Sequence, residues 1–327
     1  MKAVILAGGF GTRMRPLTYT TPKPLLPLLN KPLIQHIIDT LPERVDEIII
    51  AANYKIEKLK DYFDKIDDGR KYRVIDEPEP RGTAGAVKNV EEFLDGSFFV
   101  INSDIISSID FNDFLQFYEK REGVGAISSW SVDDPTEFGV LDIDEDSRIK
   151  EFQEKPDKGE ALSNNINAGH YILEPEVLDM IPEGRKVSIE HEIFPKLVHD
   201  GLFAYEFDGF WIDCGRPSSL LKASKILLDR KDQNIIRGKN SVVKAKTQGH
   251  ITIGQGCNIQ DCTIENSIIF DRVKIKKGCY IKDSILGFDV NIEDDALVKD
   301  SIIGDRNKIE KNSVLKDEKL KPEEETR

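Results

Sequence analysis

Glycine and arginine residues near the N-terminus have a spacing that suits phosphate binding. Residues 6–15 read LAGGFGTRMR and directly follow a short apolar run. Glycines placed just after a strand let backbone N–H groups approach phosphate oxygens with no Cβ in the way. Arg13 and Arg15 stand immediately behind these glycines. The stretch therefore predicts a phosphate-binding loop flanked by cations.

Two better-known phosphate motifs do not fit this stretch. The dinucleotide fingerprint G-x-G-x-x-G would need a glycine at Met14 and an acidic residue about 20 positions further on, and the sequence has neither. The Gly-Lys-Ser/Thr of a P-loop is also absent. A further cation, Lys23, stands between Pro22 and Pro24, where the stiff backbone holds its ammonium group in place.

The elements that must position this loop alternate between strand and helix. We expect strands at 2–7, 47–52, 73–76 and 98–102, and helices at 31–41, 56–66, 83–94 and 112–120. This order predicts an α/β domain with a mostly parallel sheet covered by helices. Ligands in such folds bind beyond the carboxyl ends of the strands. The loops that follow the strands are therefore the candidate sites.

The last quarter of the chain repeats itself. Residues 267–283, 284–300 and 301–317 are consecutive 17-residue units that each open with Ser-Ile and close with Lys-Asp, and a degenerate unit covers 251–266. Aliphatic residues recur inside the units at steps of 6, 6 and 5. They are Ile269, Ile275, Ile281, Leu286, Ile292, Val298, Ile303, Ile309 and Leu315. Three inward residues per unit predict a triangular coil, the left-handed hexapeptide β-helix.

Charge is unevenly distributed along the chain. The 327 residues carry 46 Lys+Arg and 59 Asp+Glu, a net charge of −13, yet residues 1–38 hold five basic residues and no acidic one. Such a chain lacks the broad basic face that binds nucleic acid. Its basic N-terminal segment suits the binding of a small polyanion. The alternative is that these basic residues cluster by chance. No apolar run approaches the ~20 residues of a membrane helix, and no signal peptide is recognised. We therefore expect a cytoplasmic protein with no membrane partner and no disulfide framework among its four cysteines.

Residues 6–27 resemble the signature G-x-G-T-R-x-x-P-L-T…P-K…P of the sugar-1-phosphate nucleotidyltransferases. Further family motifs follow in the family's order over some 210 residues. They are residues 82–86, 102–104, 138–140, 154–156, 167–169 and 211–215. The resemblance implies a Rossmann-like catalytic domain at 1–230. The polar stretch that follows predicts a linker at 231–240, the repeats predict a β-helix at 241–317, and the last residues predict a charged tail at 318–327.

The resemblance also implies site residues and a metal. The nucleotide-binding residues would be Leu6, Ala7, Gly8, Gly9, Gly11, Thr12, Arg13, Lys23, Gly82 and Thr83. The residues around the sugar phosphate would be Gly139, Glu154, Lys155, Asn167 and Gly169. Arg13, Lys23 and Lys155 would act as the catalytic cations. Asp104 and Asp213 would ligate Mg²⁺, a hard ion that prefers carboxylate, phosphate and water oxygens.

The implied reaction joins an NTP and a sugar-1-phosphate to give an NDP-sugar and pyrophosphate. Its nucleophile is already an anionic phosphate oxygen, so the chemistry needs positioning and charge neutralisation rather than a protein base. The resemblance is strongest to the mannose-1-phosphate guanylyltransferase branch, which implies GTP and mannose-1-phosphate as substrates. A glucose-1-phosphate thymidylyl- or uridylyltransferase stays an alternative.

Two alternatives come from other classes of protein. The first is a regulatory subunit that senses sugar nucleotides without turnover. The second is an acyltransferase activity of the β-helix, for which His250 is the one candidate residue. We instead expect the β-helix to mediate homo-oligomerisation, because its open end would otherwise expose unpaired backbone.

Overall fold

The computed structural model describes residues 1–77 and 79–323 of the chain. They form two compact units, each described here by itself. One unit contains Met1–Gly9 and Ile37–Trp211, and the other contains Phe10–His36 and Ile212–Arg327. The part of the predicted tail at 324–327 lies outside the described residues. The domain boundaries derived from the sequence stay a prediction.

A nine-stranded sheet forms the core of the first unit. Its strands are β1 Lys2–Leu6, β2 Glu47–Ala52, β3 Lys71–Asp76, β4 Phe98–Asn102, β5 Gly125–Ser131, β6 Gly139–Ile143, β7 Ile149–Glu154, β8 Asn165–Leu173 and β9 Leu202–Glu206. The order is β7-β6-β8-β4-β1-β2-β3, and β5 pairs with both β8 and β9. The carboxyl ends of β1 and β4 are adjacent, and the loops that follow them carry the predicted site residues Gly8, Gly9 and Asp104.

Most of these strands run in one direction. β1 pairs in parallel with β2 and β4, β2 with β3, and β5 with β9, whereas β8 pairs antiparallel with β4, β5 and β6. The pairing of β6 with β7 is also antiparallel. Only β7 and β8 therefore oppose the other strands of this described sheet. Val4, Ile49 and Val100 are fully buried, as expected for parallel strands covered on both faces. The predicted α/β fold with a mostly parallel sheet is confirmed.

Six α-helices occur in the described part of the chain. They are α1 Leu33–Ile38, α2 Ile56–Phe63, α3 Gly82–Lys88, α4 Phe111–Glu119, α5 Phe194–Leu197 and α6 Pro217–Asp229. α4 begins where the Asp110 carboxylate accepts the N–H groups of Asn112 and Asp113. Three predicted helices, α1, α2 and α3, are shorter than expected, and α2 ends at Phe63 instead of residue 66. Lys31–Pro32 pairs as a short strand with Pro27–Leu28 before α1, and Glu91–Phe93 forms a separate 3₁₀ turn after α3.

Short elements connect these strands and helices. The remaining strands outside the β-helix are Pro27–Leu28, Lys31–Pro32, Ile105–Ser107 and Trp211–Asp213. The 3₁₀ turns are Thr12–Met14, Leu17–Tyr19, Lys23–Leu25, Glu91–Phe93 and Pro175–Met180, and Ile189–Ile193 is a π-helical turn. No described helix has the combination of length and apolarity needed to cross a membrane.

The repeats at the C-terminal end form stacked parallel coils. One sheet contains Ile235–Arg237, Ile251–Ile253, Ile268–Ile269, Ile285–Leu286, Ile302–Ile303 and Lys319–Leu320. The other contains Val242–Gln248, Asn258–Glu265, Lys274–Ile275, Tyr280–Lys282, Asn291–Ile292, Leu297–Lys299, Lys308–Ile309 and Val314–Lys316. Ile268 pairs with Ile285 and Ile285 with Ile302, a step of 17 residues at each coil. This register confirms the repeat that the sequence predicts.

The interior of the coils contains the predicted aliphatic residues. All of them are buried except Leu315, which is partly buried and packs against the same cluster. The serine that opens each unit also has a structural role. Ser284 is fully buried, its hydroxyl donates to the Lys282 carbonyl (2.6 Å), and its Oγ accepts the Ser301 N–H (3.1 Å). The serines therefore link successive coils by hydrogen bonds.

The second unit also contains the segment Phe10–His36. Within this unit, Thr20 Oγ1 donates to the Asp305 carboxylate (2.5 Å), and Asn30 Nδ2 donates to the carbonyl of Ile253 (2.7 Å). The segment that bears Arg13, Arg15 and Lys23 is therefore packed against the coils near the other end of the chain.

Candidate active site

The phosphate loop leaves the sheet at the end of β1. The Ala7 N–H still bonds to the Ala51 carbonyl (2.9 Å), and Gly8 and Gly9 are then exposed. Gly9 has φ 115°, a conformation that side chains other than glycine's rarely adopt. Its N–H donates to Asn53 Oδ1 (3.0 Å), which fixes the loop beside β2. Leu6, Ala7, Gly8 and Gly9 thus lie where the sequence predicts a nucleotide loop.

Glu77, which the sequence analysis missed, lies against this loop. It directly follows β3 and is only 3% exposed, and its Oε1 has no hydrogen-bond partner in the described residues. A Cβ added to Gly8 would lie 3.3 Å from Glu77 Oε2. Burial raises the pKa of this carboxyl to about 7. A buried acceptor without a partner is costly, so this oxygen is a candidate ligand contact. Its position directly after a predicted strand was the available signal.

The second part of the glycine loop belongs to the other unit. Gly11 has φ 57°, and a Cβ there would lie 2.8 Å from Thr18 Cγ2 and 3.4 Å from Lys23 Cβ. The Thr18 hydroxyl donates to the Gly11 carbonyl (2.8 Å). Lys23 begins a short 3₁₀ turn in which the Leu26 N–H bonds to its carbonyl. The close approach at Gly11 therefore brings the backbone of the glycine loop next to Lys23.

Arg13 lies in the 3₁₀ turn Thr12–Met14 and is exposed. Its Nη2 is 4.0 Å from Asp213 Oδ2. The other oxygen, Asp213 Oδ1, accepts the Gly215 N–H (2.7 Å). A Cβ at Gly215 would lie only 2.7 Å from Arg13 Nη2, so the absence of a side chain there leaves room for the guanidinium. The structure thus brings together Arg13 and Asp213, two of the predicted site residues.

Gly82 and Thr83 begin α3. Gly82 has φ 75°, and a Cβ there would lie 2.4 Å from the Val187 carbonyl oxygen. The Thr83 hydroxyl donates to Glu190 Oε2 (2.7 Å) and accepts the Ile189 N–H (2.8 Å). The Thr83 side chain is therefore already engaged within the protein, and what remains for a nucleotide at this position is the backbone.

Gly139, Glu154 and Lys155 form a second group in the first unit. β6 and β7 pair Gly139 with Glu154, and a Cβ at Gly139 would lie 2.8 Å from Glu154 Oε2. That oxygen is buried and has no hydrogen-bond partner in the part of the chain that the structure describes, whereas Glu154 Oε1 lies 3.4 Å from the exposed Lys155 ammonium. Burial raises the pKa of Glu154, and the Lys155 charge opposes this. The group offers an acceptor for hydroxyls beside a cation for phosphate.

Asn167 and Gly169 lie at an irregularity in β8. The register of β8 against β5 shifts between Asn167 and Tyr171, and such bulges re-aim side chains. Asn167 Oδ1 accepts the Gly169 N–H (2.9 Å), and its Nδ2 donates to the Tyr171 hydroxyl (3.0 Å). Gly169 has φ 83°, and a Cβ there would lie 2.8 Å from Asn102 Nδ2. Glycine at this position therefore allows close packing against the end of β4.

Asp104 lies just beyond β4, in the turn after Ser103, and is half-buried. Its charge raises the pKa of His170, but complete burial lowers that pKa more strongly, to about 3. His170 is therefore neutral, and its Nδ1 pairs with the Ser128 hydroxyl (3.0 Å). The donors at Asp104 and Asp213 are carboxylate oxygens, which fit a hard divalent ion. No group of three or more His, Cys, Asp or Glu side chains suited to a metal occurs in the described residues.

Comparison with protein families decides the identification. Residues 2–230 match the family model described as nucleotidyl transferase, and residues 232–325 match the GMPPB C-terminal domain. The chain belongs to the nucleotidyl transferase family. It is thus an enzyme of nucleotide-sugar biosynthesis, and the resemblance drawn from its motifs is confirmed. Nucleotidyltransferases of this family generally use a divalent metal.

Named relatives and solved structures agree with this family. Mannose-1-phosphate guanylyltransferase 1 of Arabidopsis thaliana is 39% identical over 300 residues, covering 85% of this chain and 82% of the relative. Mannose-1-phosphate guanyltransferase of Saccharomyces cerevisiae is 40% identical over 260 residues, covering 75% and 71%. The structure of HddC from Yersinia pseudotuberculosis complexed with GMP-PN is 32% identical with a TM-score of 0.56, covering 68% of this chain and 97% of that one.

Proposed function

We propose that this nucleotidyltransferase transfers a guanylyl group from GTP to mannose-1-phosphate, giving GDP-mannose and pyrophosphate. The observation that carries the choice of GTP is the buried carboxylate of Glu77 beside Gly8, whose Oε1 has no hydrogen-bond partner within residues 1–77 and 79–323. The names of the Arabidopsis and yeast relatives, both mannose-1-phosphate guanylyltransferases, support the same substrates.

Guanine suits a carboxylate better than the other bases do. Its Watson–Crick edge presents two adjacent donors, N1–H and N2–H, and an ionised carboxylate accepts two hydrogen bonds at once. Uracil and thymine present one N–H between two carbonyl oxygens, which a carboxylate repels. Adenine presents an amino donor beside a ring nitrogen that only accepts. Base binding by Glu77 would therefore favour GTP over the other three nucleotides.

The cations have separate tasks in this proposal. Arg13 and Lys23 bind the triphosphate and neutralise charge on the departing pyrophosphate, and Lys155 holds the sugar phosphate for in-line attack of its oxygen on the α-phosphorus. Each charge-assisted hydrogen bond to phosphate contributes about 1.5–3 kcal/mol. No protein base is needed, because the attacking phosphate oxygen is already anionic.

Glu154 and Asn167 supply the contacts to the sugar. Glu154 Oε2, which has no hydrogen-bond partner among the described residues, accepts from sugar hydroxyls, and Asn167 keeps Gly169 in the conformation that packs closely against the end of β4. We propose Mg²⁺ as the divalent metal, with Asp104 and Asp213 as its protein ligands. When bound, Mg²⁺ would polarise the phosphate oxygens and offset the charge that develops on them.

A pyrophosphate-release screen tests the proposal. GTP, ATP, UTP and dTTP are each combined with mannose-, glucose- and N-acetylglucosamine-1-phosphate in the presence of Mg²⁺. We expect the highest kcat/KM for GTP with mannose-1-phosphate. A clear preference for dTTP or UTP with glucose-1-phosphate would reject the guanylyl assignment. No release with any pair would favour a sugar-nucleotide sensor without turnover.

We also propose a cytoplasmic homo-oligomer that associates through the β-helix. The last coil supports this, since Val314 is 63% exposed and the strands Lys308–Ile309 and Val314–Lys316 lie at the ends of their described sheet. Exposed strand edges invite pairing with another chain. Light scattering should give a multiple of the 37.0 kDa chain mass, and Val314→Asp should lower it. A monomeric wild-type chain would reject the oligomer.

A further inference from the structure

We propose that Asp305, in the last full coil of the β-helix, is a positioning residue for the phosphate-binding segment. Asp305 is 4% exposed, and its Oδ2 accepts the Thr20 hydroxyl at 2.5 Å. The β-helix would then contribute to catalysis through Thr20, in addition to any role in assembly. The inference rests on the triphosphate roles proposed above for Arg13 and Lys23.

The residues next to Thr20 contact the glycine loop and Arg15. Two residues before it, Thr18 donates its hydroxyl to the Gly11 carbonyl (2.8 Å), which holds the glycine loop. One residue before it, the Tyr19 ring lies 4.9 Å from the Arg15 guanidinium carbon and 6.0 Å from Lys321 Nζ, both cation–π distances. Fixing Thr20 therefore fixes the turn that separates Arg13 from Lys23.

Asp305 uses its two oxygens for different purposes. Oδ1 accepts the Phe288 N–H of the preceding coil (3.0 Å), and Oδ2 accepts from Thr20. Asp271 stands two coils earlier at the equivalent repeat position, and its Oδ1 accepts the Gln255 N–H of its preceding coil in the same way (2.9 Å). The bond from Oδ1 is thus part of the regular contact between coils, whereas the bond from Thr20 to Oδ2 is specific to Asp305.

This repetition provides a matched control. Asp305→Ala and Asp271→Ala each remove one coil-to-coil hydrogen bond, but only Asp305→Ala also removes the contact to Thr20. Thr20→Val removes that contact, together with the longer bond from the same hydroxyl to the Leu17 carbonyl (3.3 Å), while keeping the side-chain shape, and Thr20→Ser keeps the hydroxyl. The four variants separate a loss of coil stability from a loss of loop positioning.

The test measures kcat, the KM for GTP, and the KM for mannose-1-phosphate in each variant, using whichever substrates the wild-type enzyme turns over. It also measures the Kd for inorganic pyrophosphate by calorimetry and the midpoint of thermal unfolding. Asp305→Ala and Thr20→Val should raise the nucleotide KM and the pyrophosphate Kd by roughly tenfold or more. Thr20→Ser and Asp271→Ala should stay within about twofold of wild type, and the sugar-phosphate KM should not change.

Two results would overturn the inference. One is a pyrophosphate Kd that is equal in Asp305→Ala and Asp271→Ala, and the other is a wild-type Kd in Thr20→Val. Because pyrophosphate carries neither base nor sugar, these results are distinct from a failure of the GTP and mannose assignments. If Asp305→Ala does not fold, Asp305→Asn replaces it: its amide can be compared with Thr20→Val, and a wild-type pyrophosphate Kd in both variants would overturn the inference.

Discussion

The carboxylate of Glu77 lies within 3.3 Å of the position that a Cβ would occupy on Gly8. The two residues follow different strands, β3 and β1, and the intervening strand β2 supplies Asn53 to the same loop. Glycine at this position therefore has a second effect besides access to phosphate, because a side chain there would press against the buried acid. The nucleotide loop and the candidate base contact form one packed arrangement.

Glu77→Gln should lower kcat/KM for GTP by roughly 10- to 100-fold, because the amide offers one acceptor where guanine needs two. The other three nucleotides should lose little or gain activity. The matched control is Glu79→Gln, an exposed acid two residues away. Equal losses with all four nucleotides in the pyrophosphate-release assay would argue against base recognition by Glu77.

The raised pKa of Glu77 predicts a pH dependence of GTP use. Its pKa of about 7 means that the carboxyl is protonated in the free enzyme at pH 6 and can no longer accept both guanine donors. The wild-type kcat/KM for GTP should therefore fall as the pH drops from 8 to 6. In Glu77→Gln, the pH profile of kcat/KM reflects only the titration of GTP and of other groups. The two enzymes should therefore have different profiles, and identical profiles would contradict the prediction.

The same pKa predicts an effect on stability. The folded pKa of about 7 exceeds the ordinary value of 4.5, so between these values the folded chain binds more protons and its free energy of unfolding falls as the pH rises. Glu77→Gln should therefore be more stable than wild type at pH 8 by about 1–3 kcal/mol, with a smaller difference at pH 5. Urea unfolding at both pH values measures this, and a larger gain at pH 5 would have the wrong sign.

Glu154→Gln should raise the KM for mannose-1-phosphate by roughly tenfold and leave the KM for GTP unchanged, because its buried Oε2 is the acceptor proposed for sugar hydroxyls. Glu151→Gln, an exposed acid on the same strand, is the control. Initial rates at saturating GTP measure the effect. A rise in both KM values would indicate a general loss of structure instead.

Asp104→Ala should abolish Mg²⁺-dependent pyrophosphate release and leave thermal unfolding close to that of the wild type. Chelation of the metal with EDTA should do the same to the wild-type enzyme, with recovery on adding Mg²⁺. Asp133→Asn, an exposed aspartate in the same unit, should behave as wild type. Near-normal turnover of Asp104→Ala would remove this residue from the proposed metal site.

Periodic features of the sequence predicted the fold well, and features without periodicity did not. The 17-residue repeat fixes the pairing of Ile268 with Ile285, because every coil repeats the same inward residues. Helix ends were predicted less well. α3 ends at Lys88, and Glu91–Phe93 forms a separate 3₁₀ turn after Asn89 and Val90, although the apolar pattern continues through this region.

The candidate site was predictable only where a motif carries it. Gly8, Arg13 and Lys155 belong to short family motifs, whereas Glu77 stands in a proline-rich loop with no distinctive pattern. Its role depends on a neighbour 69 positions away in the sequence, Gly8, and on burial that only the folded sheet produces. The Thr20 contact to Asp305 was hidden for the same reason.

The hydrogen bond between Thr20 and Asp305 joins residues 285 positions apart. A ribosome adds about 5–20 residues each second, so the N-terminal partner emerges roughly 15–60 s before the C-terminal one. During that interval the nascent segment around Arg13 lacks its anchor on the coils. The segment around Arg13 is synthesised early, but it would be among the last parts of the enzyme to reach its final conformation.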